Sequence, residues 1–300
     1  MPDHRRALDA TAFSLMLLLT ASWGMQQVMI KLAAGDVSLV MQAAIRSISA
    51  TLLLFAWARL SGTALFSRDG TLWPGIVAGL LFGTEFIFIY AGLAHTTASR
   101  MIVFIYLTPP LTALGLHWLV PGEGMHLRQW LGVLVSFAGI VLAFGEGFAA
   151  SGGATAIGDL CGVIAAVLWA STTVLIRASA LARVSASKTL FYQLAVSSVL
   201  LLAASRLMGE TGVSRLSFIA LASLVYQGAV VAFASYLTWF WLLRRYLAGR
   251  LAVFSFMAPM FGVVFGVLIL SDPLRPAFVA AALMVGAGIV LVNYSPVRNG

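Results

Sequence analysis

Long apolar stretches constrain what this chain can fold into more than any single motif does. Ten of them follow one another along the sequence. Each has roughly 20 residues, which as a helix is enough to cross a hydrocarbon core of about 30 Å. Of the 300 residues, 61% are hydrophobic and only 9% are charged, against roughly 25% in soluble domains. We therefore predict an all-α polytopic membrane protein; the alternating strands of a transmembrane barrel do not occur in the sequence.

Loop signals rich in glycine, proline, serine and charged residues separate the apolar stretches. The ten predicted helices cover residues 12–33, 37–60, 72–93, 98–119, 127–146, 156–178, 187–208, 216–243, 250–271 and 275–294. Lysine and arginine predict the orientation, because cytoplasmic loops carry an excess of both. With the N-terminus inside, twelve of these residues lie on the inner side and five on the outer side. We expect a multi-pass protein of the cell inner membrane with both termini in the cytoplasm.

The net charge of +8 does not indicate a nucleic-acid partner. The arginines are scattered singly at the ends of predicted helices, so membrane orientation explains them better. Cys161 is the one cysteine, which excludes an intramolecular disulfide and a multi-cysteine metal site. The sequence contains no HExxH, P-loop or GxSxG motif, and its four histidines form no ligand cluster. We expect no enzyme, no catalytic residues, no metal and no cofactor.

The sequence also repeats itself at a spacing of about 150 residues. Three pairs of segments match: RMIVFIYLTP (100–109) with RLAVFSFMAP (250–259), SWGMQQVMIK (22–31) with LWASTTVLIR (168–177), and MQAAIRS (41–47) with YQLAVSS (192–198). The two predicted repeats are residues 1–148 and 149–300, with five helices each. Because five is odd, the second repeat enters the membrane inverted. Inverted repeats are typical of transporters that expose a central site to each side in turn.

Polar residues inside a membrane span are costly, so their positions are informative. Trp23, Gln26 and Gln27 share one face of the first predicted helix, at i, i+3 and i+4. The same spacing recurs in the second half at Trp169, Thr172 and Thr173. Two interpretations remain open. These residues form the wall of a substrate cavity, or the tryptophans belong to an interface belt while the glutamines join helices.

Two opposite charges are predicted deep in the membrane, one on each of two neighbouring helices. Arg46 and Glu85 lie about nine and about eight residues from the outer ends of their helices, so a rise of about 1.5 Å per residue places them at nearly the same level. Tyr106 lies at a similar depth on the fourth helix. A structural ion pair between Arg46 and Glu85 is one interpretation. Contact of Glu85 with substrate is the other, since a carboxylate can bind an ammonium group or a proton.

Prolines interrupt two helices that the repeat relates to each other. Pro109 and Pro110 fall within the fourth predicted helix, and Pro259 falls at the equivalent position of the ninth. Proline removes a backbone donor and kinks a helix. Such paired kinks suit either hinges or static bends.

With these features the chain resembles the drug/metabolite transporter superfamily, specifically its ten-helix EamA-type exporters. The resemblance covers residues 10–294. It rests on the spacing from Trp23 to Lys31, and on Arg46, Pro109, Glu123, Gly132 and Gly139. A narrower likeness, to the YddG-type aromatic amino-acid exporters, rests on LLFGTEF, YLTPPL, LWAS and LSDPL followed by ALMVGAG.

The narrower likeness implies export of amino acids through a central cavity walled by the first, third, fourth, sixth, eighth and ninth helices. Carried over by position, the cavity residues are Trp23, Glu85, Tyr106 and Trp169. This chain has Thr84 and Thr108 where those exporters tend to have aromatic residues. The resemblance therefore implies a smaller and more polar pocket.

The resulting hypothesis is an inner-membrane exporter of amino acids, aromatic, hydrophobic and others, that works by alternating access and facilitated diffusion. The predicted substrate-binding residues are Trp23, Gln27, Glu85, Tyr106, Trp169 and Trp239. The expected partners are a small-molecule substrate and the lipid bilayer, and we expect a monomer. Two alternatives are a proton-coupled exporter of organic cations, in which Glu85 binds a proton and a cation in turn, and a membrane sensor or scaffold without transport.

Overall fold

The computed structural model describes residues 9–119, 127–150, 154–245, 257–274 and 276–293. These residues form twelve α-helices: α1 Ala10–Ala33, α2 Leu39–Leu60, α3 Leu72–Gly92, α4 Ala98–Ile105, α5 Thr108–Leu119, α6 Leu127–Ala150, α7 Ala154–Ala178, α8 Ala186–Leu207, α9 Phe218–Val225, α10 Tyr236–Arg245, α11 Met257–Leu270 and α12 Pro276–Asn293. A 3-10 turn, Ala180–Arg183, precedes α8, and a π-helical segment, Tyr226–Ser235, joins α9 to α10.

The described helices confirm an all-α polytopic membrane protein. Seven stretches are long and apolar enough to cross a membrane: Ala10–Ala33, Leu39–Leu60, Leu72–Gly92, Ala98–Leu119, Thr155–Ala178, Ala186–Leu207 and Phe218–Trp239. Shorter apolar helices are Trp130–Gly139, Met257–Leu270 and Val279–Gly288. Together these ten stretches coincide with the ten predicted helices, because each span carries its own length and hydropathy signal in the sequence.

The fourth predicted helix is broken rather than kinked. It ends as α4 at Ile105, and a new helix, α5, begins at Thr108. The Thr108 hydroxyl donates a hydrogen bond to the backbone oxygen of Ile105 at 2.7 Å, which bridges the break. Pro109 and Pro110 therefore lie in the first turn of α5, where proline fits because the first backbone N–H groups of a helix have no intrahelical acceptor.

The eighth predicted helix also changes character midway. Its central ten residues, Tyr226–Ser235, are π-helical, between two α-helical ends. A π-helical stretch widens the helix and occurs often at functional sites. The hydroxyl of Tyr226 donates to the backbone oxygen of Ser22 at 3.0 Å, which fixes the segment against α1.

The helices pack in a consistent set of pairs. α6 packs against α12, α2 against α8, and α3 against both α7 and α8. The π-helical segment packs against α1 and α2, α11 against α1 and α4, and α7 against α4 and α5. The core at the middle of this arrangement is apolar around the buried aromatic side chains of Phe82, Phe86 and Tyr90 on α3.

Candidate functional site

Trp23 joins the first helix to the eighth span. Its indole nitrogen donates to the hydroxyl of Ser235 at 2.9 Å. The rings of Trp23 and Trp239 meet edge to face, with centroids 5.7 Å apart and an interplanar angle of 75°. The structure thus brings together two tryptophans that the sequence placed on separate helices, and both stay half-buried.

A second aromatic pair joins α4 to α7. The rings of Tyr106 and Trp169 lie 6.2 Å apart at 82°. Tyr106 caps the C-terminus of α4 and lies at the break between α4 and α5. Tyr106 is buried, whereas Trp169 keeps 36% of its surface exposed. A buried ring on one side and a partly exposed ring on the other therefore form this edge-to-face pair.

Arg46 is wholly buried and lies among aromatic rings. Its guanidinium carbon is 4.1 Å from the ring centroid of Phe86 and 5.9 Å from that of Tyr236. Nη2 donates a hydrogen bond to the Tyr236 hydroxyl at 3.1 Å. Nε and Nη1 are buried without a hydrogen-bond partner in the described structure. Cation–π contact offsets part of the cost of burying the charge, but two donor groups remain unsatisfied.

Glu85 lies close enough to Arg46 and Tyr236 to interact electrostatically with both. The predicted ion pair between Glu85 and Arg46 is not formed, however, since neither of these described residues makes a salt bridge with the other. The guanidinium is instead stacked on Phe86, a neighbour of Glu85 on α3. Oε2 of Glu85 is buried and has no hydrogen-bond partner among the described residues.

Gln26 and Gln27 are both buried. Oε1 of Gln27 has no hydrogen-bond partner among the described residues. Gln27 therefore joins Arg46 and Glu85 as a residue with an unsatisfied polar atom inside the bundle, which is the pattern of a polar site open to a ligand or to water.

Tyr236 is a central residue of this site, and the sequence analysis did not identify it. Its hydroxyl accepts a hydrogen bond from Arg46, and it lies near Glu85 and Tyr106. Its position three residues before Trp239 was the available signal, because i and i+3 lie on one helix face. The π-helical segment before it changes the helical register, so spacing counted along a regular helix did not point to it.

A buried chain of hydrogen bonds lies beside these charges. The Tyr90 hydroxyl donates to Oε1 of Gln227 at 2.5 Å, and Nε2 of Gln227 donates to Oε1 of Gln42 at 2.9 Å. Nε2 of Gln42 donates in turn to the backbone oxygens of Ile30 and Val37, at 3.1 and 3.0 Å. This chain links α3, the π-helical segment, α2 and the end of α1.

Acidic residues tie the helix ends together at the predicted outer end of the bundle. Asp159 of α7 accepts hydrogen bonds from Thr96 at 2.9 Å and from the guanidinium of Arg100, with which it forms an ion pair. Asp272, after α11, accepts from the backbone N–H and the hydroxyl of Ser99, at 3.1 and 2.9 Å. The first turn of α4 is therefore attached to both α7 and α11.

An ion pair also lies at the predicted inner end. Nζ of Lys188, in the first turn of α8, donates to Oδ2 of Asp69 at 2.7 Å and to the backbone oxygen of Ser67 at 2.8 Å. The hydrogen bond from Lys188, with another from Thr71, holds the pKa of Asp69 well below its usual range. Asp69 lies in the connection between α2 and α3, outside the membrane spans.

The predicted hinge prolines are only partly placed. Pro109 and Pro110 lie directly after the break that follows Tyr106. Pro259 lies in the first turn of α11 as described, and residues 246–256 before it lie outside the described structure, as does Glu123. Hinge motion at either place stays a prediction.

A crevice of about 510 Å³ opens beside the site rather than within it. It lies between α1, α2, the start of α8 and the eighth span, and its lining includes Leu15, Trp57, Phe233 and Trp241. Within the described ranges, no group of three or more His, Cys, Asp and Glu side chains is placed to hold a metal ion.

Known proteins resemble this chain over nearly its whole length. It is 27% identical to the uncharacterized transporter YvbV of Bacillus subtilis (strain 168), over 98% of this chain and 93% of that protein. It is 25% identical to an uncharacterized transporter of Archaeoglobus fulgidus, over 95% and 98%. A solved crystal structure at 20% identity covers 94% of this chain and 97% of its own, with a TM-score of 0.65, and so shares the fold.

The EamA-like transporter family matches residues 10–145 and residues 156–294. The two matched regions include both aromatic pairs as well as Arg46 and Glu85. The chain is a member of the EamA-like transporter family.

Proposed function

We propose that the protein exports amino acids, including aromatic and hydrophobic ones, across the inner membrane by alternating access. The observation that carries this proposal is one arrangement: two buried opposite charges that form no ion pair with each other, Arg46 and Glu85, lie near Tyr236, which itself lies near Tyr106 of one aromatic pair. Such a site combines polar groups for a zwitterionic head with ring faces for an apolar side chain. Family membership favours transport over the alternative of a sensor or scaffold.

Helix packing supports the division into repeats 1–148 and 149–300. In the repeat, α3 corresponds to the eighth span and α8 corresponds to α2. The contact between α3 and α8 should therefore recur between the π-helical segment and α2. In the same way, the contact between α1 and α11 should recur between α7 and α4. Both contacts of each pair occur in the structure. An inverted repeat makes the two gates of a transporter equivalent, since each half adopts the conformation of the other when the cavity changes sides.

Close contacts at two glycines follow the same correspondence between the repeats. A methyl group at Gly83 would lie 3.1 Å from the Cα atom of Ser197, and one at Gly228 would lie 3.6 Å from the backbone oxygen of Arg46. The alignment of Gln42 with Gln193 makes Arg46 and Ser197 equivalent positions. Two glycines thus let two equivalent helix pairs approach closely.

We infer that the described conformation is closed towards the predicted outer side. Residues 101–107 of the fourth span are all buried, residues 111–117 are half-buried, and Trp118 is exposed. Asp159 and Asp272 accept hydrogen bonds from residues at this buried outer end of the fourth span. Release to the outside then requires α4 to part from α7 and α11, with the break after Tyr106 as the point of bending.

Proton-coupled export of an organic cation is the second candidate. The observation that favours it is the buried Glu85 with its unpartnered Oε2, because a lone carboxylate in a membrane can bind a proton or a cation. Transport driven by a pH gradient, and abolished by Glu85→Gln, would support this candidate. Under the first proposal, by contrast, amino-acid transport should persist when the pH gradient is collapsed.

The testing experiment is flux in proteoliposomes with a panel of labelled amino acids and organic cations. We expect saturable amino-acid flux, reduced at least tenfold by Trp169→Ala and by Glu85→Gln. Trp73→Ala is the matched control, since Trp73 is exposed at the start of α3 and lies outside the proposed site. Normal flux in both site variants, with normal folding, would show that the site is wrongly placed.

A further inference from the structure

We propose that Arg46, positioned by Tyr236, binds the carboxylate of the substrate, while Glu85 faces its ammonium group. This inference rests on the proposed function and specifies its substrate class: the transported molecule carries an ammonium group and a carboxylate on the same carbon atom. The sequence left open a structural ion pair or contact of Glu85 with substrate; in the described structure the two residues form no salt bridge, and each keeps unsatisfied polar atoms.

The hydrogen-bonding capacity of Arg46 is the first step. A guanidinium has five N–H donors and stays charged. Arg46 is 0% exposed, yet only Nη2 has an acceptor, the Tyr236 hydroxyl at 3.1 Å. Nε and Nη1 have none among the described residues. Leaving buried donors of a charged group unsatisfied costs free energy, so an acceptor that enters this site from outside the protein gains a strong interaction.

The position of Glu85 is the second step. Its unsatisfied Oε2 is an acceptor, complementary to the unsatisfied donors of Arg46. The two charges interact electrostatically without an ion pair. A carboxylate bound at Arg46 and an ammonium bound at Glu85 would satisfy both groups at once. A ligand with only one of these charges would leave the other residue buried and unsatisfied.

The inverted repeat supplies an internal control. Ser197 occupies the position in α8 that Arg46 occupies in α2, and it is equally buried. Its hydroxyl donates to the backbone oxygen of Leu194 at 3.0 Å within its own helix, and Gly83 of α3 packs against it. Since the scaffold closes around Ser197 without a charge, close helix packing does not itself require arginine at this position.

Tyr236 fixes where the guanidinium lies. It begins α10 directly after the π-helical segment, and its hydroxyl is the one protein acceptor of Arg46 among the described residues. It also lies near Tyr106. We therefore treat Tyr236 as a positioning residue that connects the carboxylate subsite to the aromatic pair of Tyr106 and Trp169.

The test measures how strongly three unlabelled ligands inhibit the transport of labelled phenylalanine. All three carry a phenyl ring on a two-carbon chain, and they differ in their charged groups. L-phenylalanine carries both charges, phenethylamine lacks the carboxylate, and 3-phenylpropionate lacks the ammonium group. For the unmodified protein in proteoliposomes, we expect each analogue to inhibit labelled phenylalanine flux roughly 10- to 100-fold more weakly than phenylalanine does, as charge-assisted hydrogen bonds predict.

Arg46→Gln should abolish the preference for phenylalanine over phenethylamine, while Arg46→Lys should retain part of it. Tyr236→Phe should reduce this preference, and its maximal transport rate should be closer to that of the unmodified protein than the rate of Arg46→Gln is. Arg59→Gln is the matched control on the same helix, because Arg59 is exposed and stacks on Phe55. If Arg46→Gln does not fold, the Lys and Phe variants give the same comparison.

The outcomes separate the two proposals. An equal loss of rate for every ligand in the Arg46 and Tyr236 variants, with the preference unchanged, would make Arg46 structural and overturn this inference while leaving amino-acid export standing. If the unmodified protein moves no amino acid, the proposed function fails. Arg46 is then tested by binding of 3-phenylpropionate against phenethylamine to purified protein, where a carboxylate preference lost in Arg46→Gln supports the subsite and no preference overturns it.

Discussion

Asp159 is fully buried where α4 and α7 meet, and its carboxylate binds Arg100 and Thr96 at once. The ion pair joins the two helices that also carry Tyr106 and Trp169. A change at the predicted outer end can therefore reach the aromatic pair through the length of α4, which is only eight residues.

Asp159→Asn should open the predicted outer side. The amide keeps the shape of the carboxylate but loses its charge, and removing one partner of a buried ion pair is strongly destabilising. A cysteine placed at Ile102, which is buried, in a Cys161→Ser background should react several-fold faster with a membrane-impermeant thiol reagent from outside. Asp69→Asn, at the opposite end, is the control. Unchanged labelling in Asp159→Asn would contradict an outer gate at this contact.

Gly24 should tolerate no side chain. A methyl group there would lie 2.6 Å from the backbone nitrogen of Gly262 and 2.8 Å from the backbone oxygen of Ala258, so α1 and α11 would have to separate. Overpacking of this kind costs about 1–3 kcal/mol, and Gly24→Ala should lower the unfolding temperature in detergent. Gly35→Ala is the control, since nothing lies within 4 Å of the added methyl group. Equal melting of the two variants would disprove this contact.

The sequence predicted the spans well because apolar length is a local property, and a helix in lipid must satisfy its own backbone hydrogen bonds. It also identified Arg46 and Glu85 as polar residues within the spans, and both are buried. It could not predict that Arg46 would stack on Phe86 and bind Tyr236 instead of Glu85. That choice depends on packing between α2, α3 and the eighth span, and a π-helical segment hides the register of Tyr236.

The same limit applies to the fourth span. Pro109 and Pro110 predicted an interruption of the fourth helix, but whether proline kinks a helix or begins a new one depends on the residues before it. Here the hydroxyl of Thr108 donates a hydrogen bond to the backbone oxygen of Ile105, and Tyr106 caps the end of α4.

The hydrogen-bond chain from Tyr90 through Gln227 to Gln42 should behave as one unit. Gln227→Leu removes the acceptor of the Tyr90 hydroxyl and the donor to Gln42, leaving two buried polar groups unsatisfied at about 1–3 kcal/mol each. Tyr90→Phe removes one partner only. We expect the double variant to be less destabilised than the sum of the single variants, measured by thermal unfolding. Strict additivity would mean that the chain is not coupled.

The contact between Asp69 and Lys188 should make stability depend on pH in the acid range. Hydrogen bonds from Lys188 and Thr71 lower the pKa of Asp69 in the folded protein. A carboxylate with a lowered folded pKa stabilises the protein above its unfolded pKa of about 3.9, and that contribution is lost as the pH falls further. Asp69→Asn should therefore melt below the unmodified protein at pH 7, and the difference should shrink below about pH 4. Lys188→Met should show the same pattern, with no further loss in the double variant. A difference that stays constant down to pH 3 would show that the charge of Asp69 does not stabilise the fold.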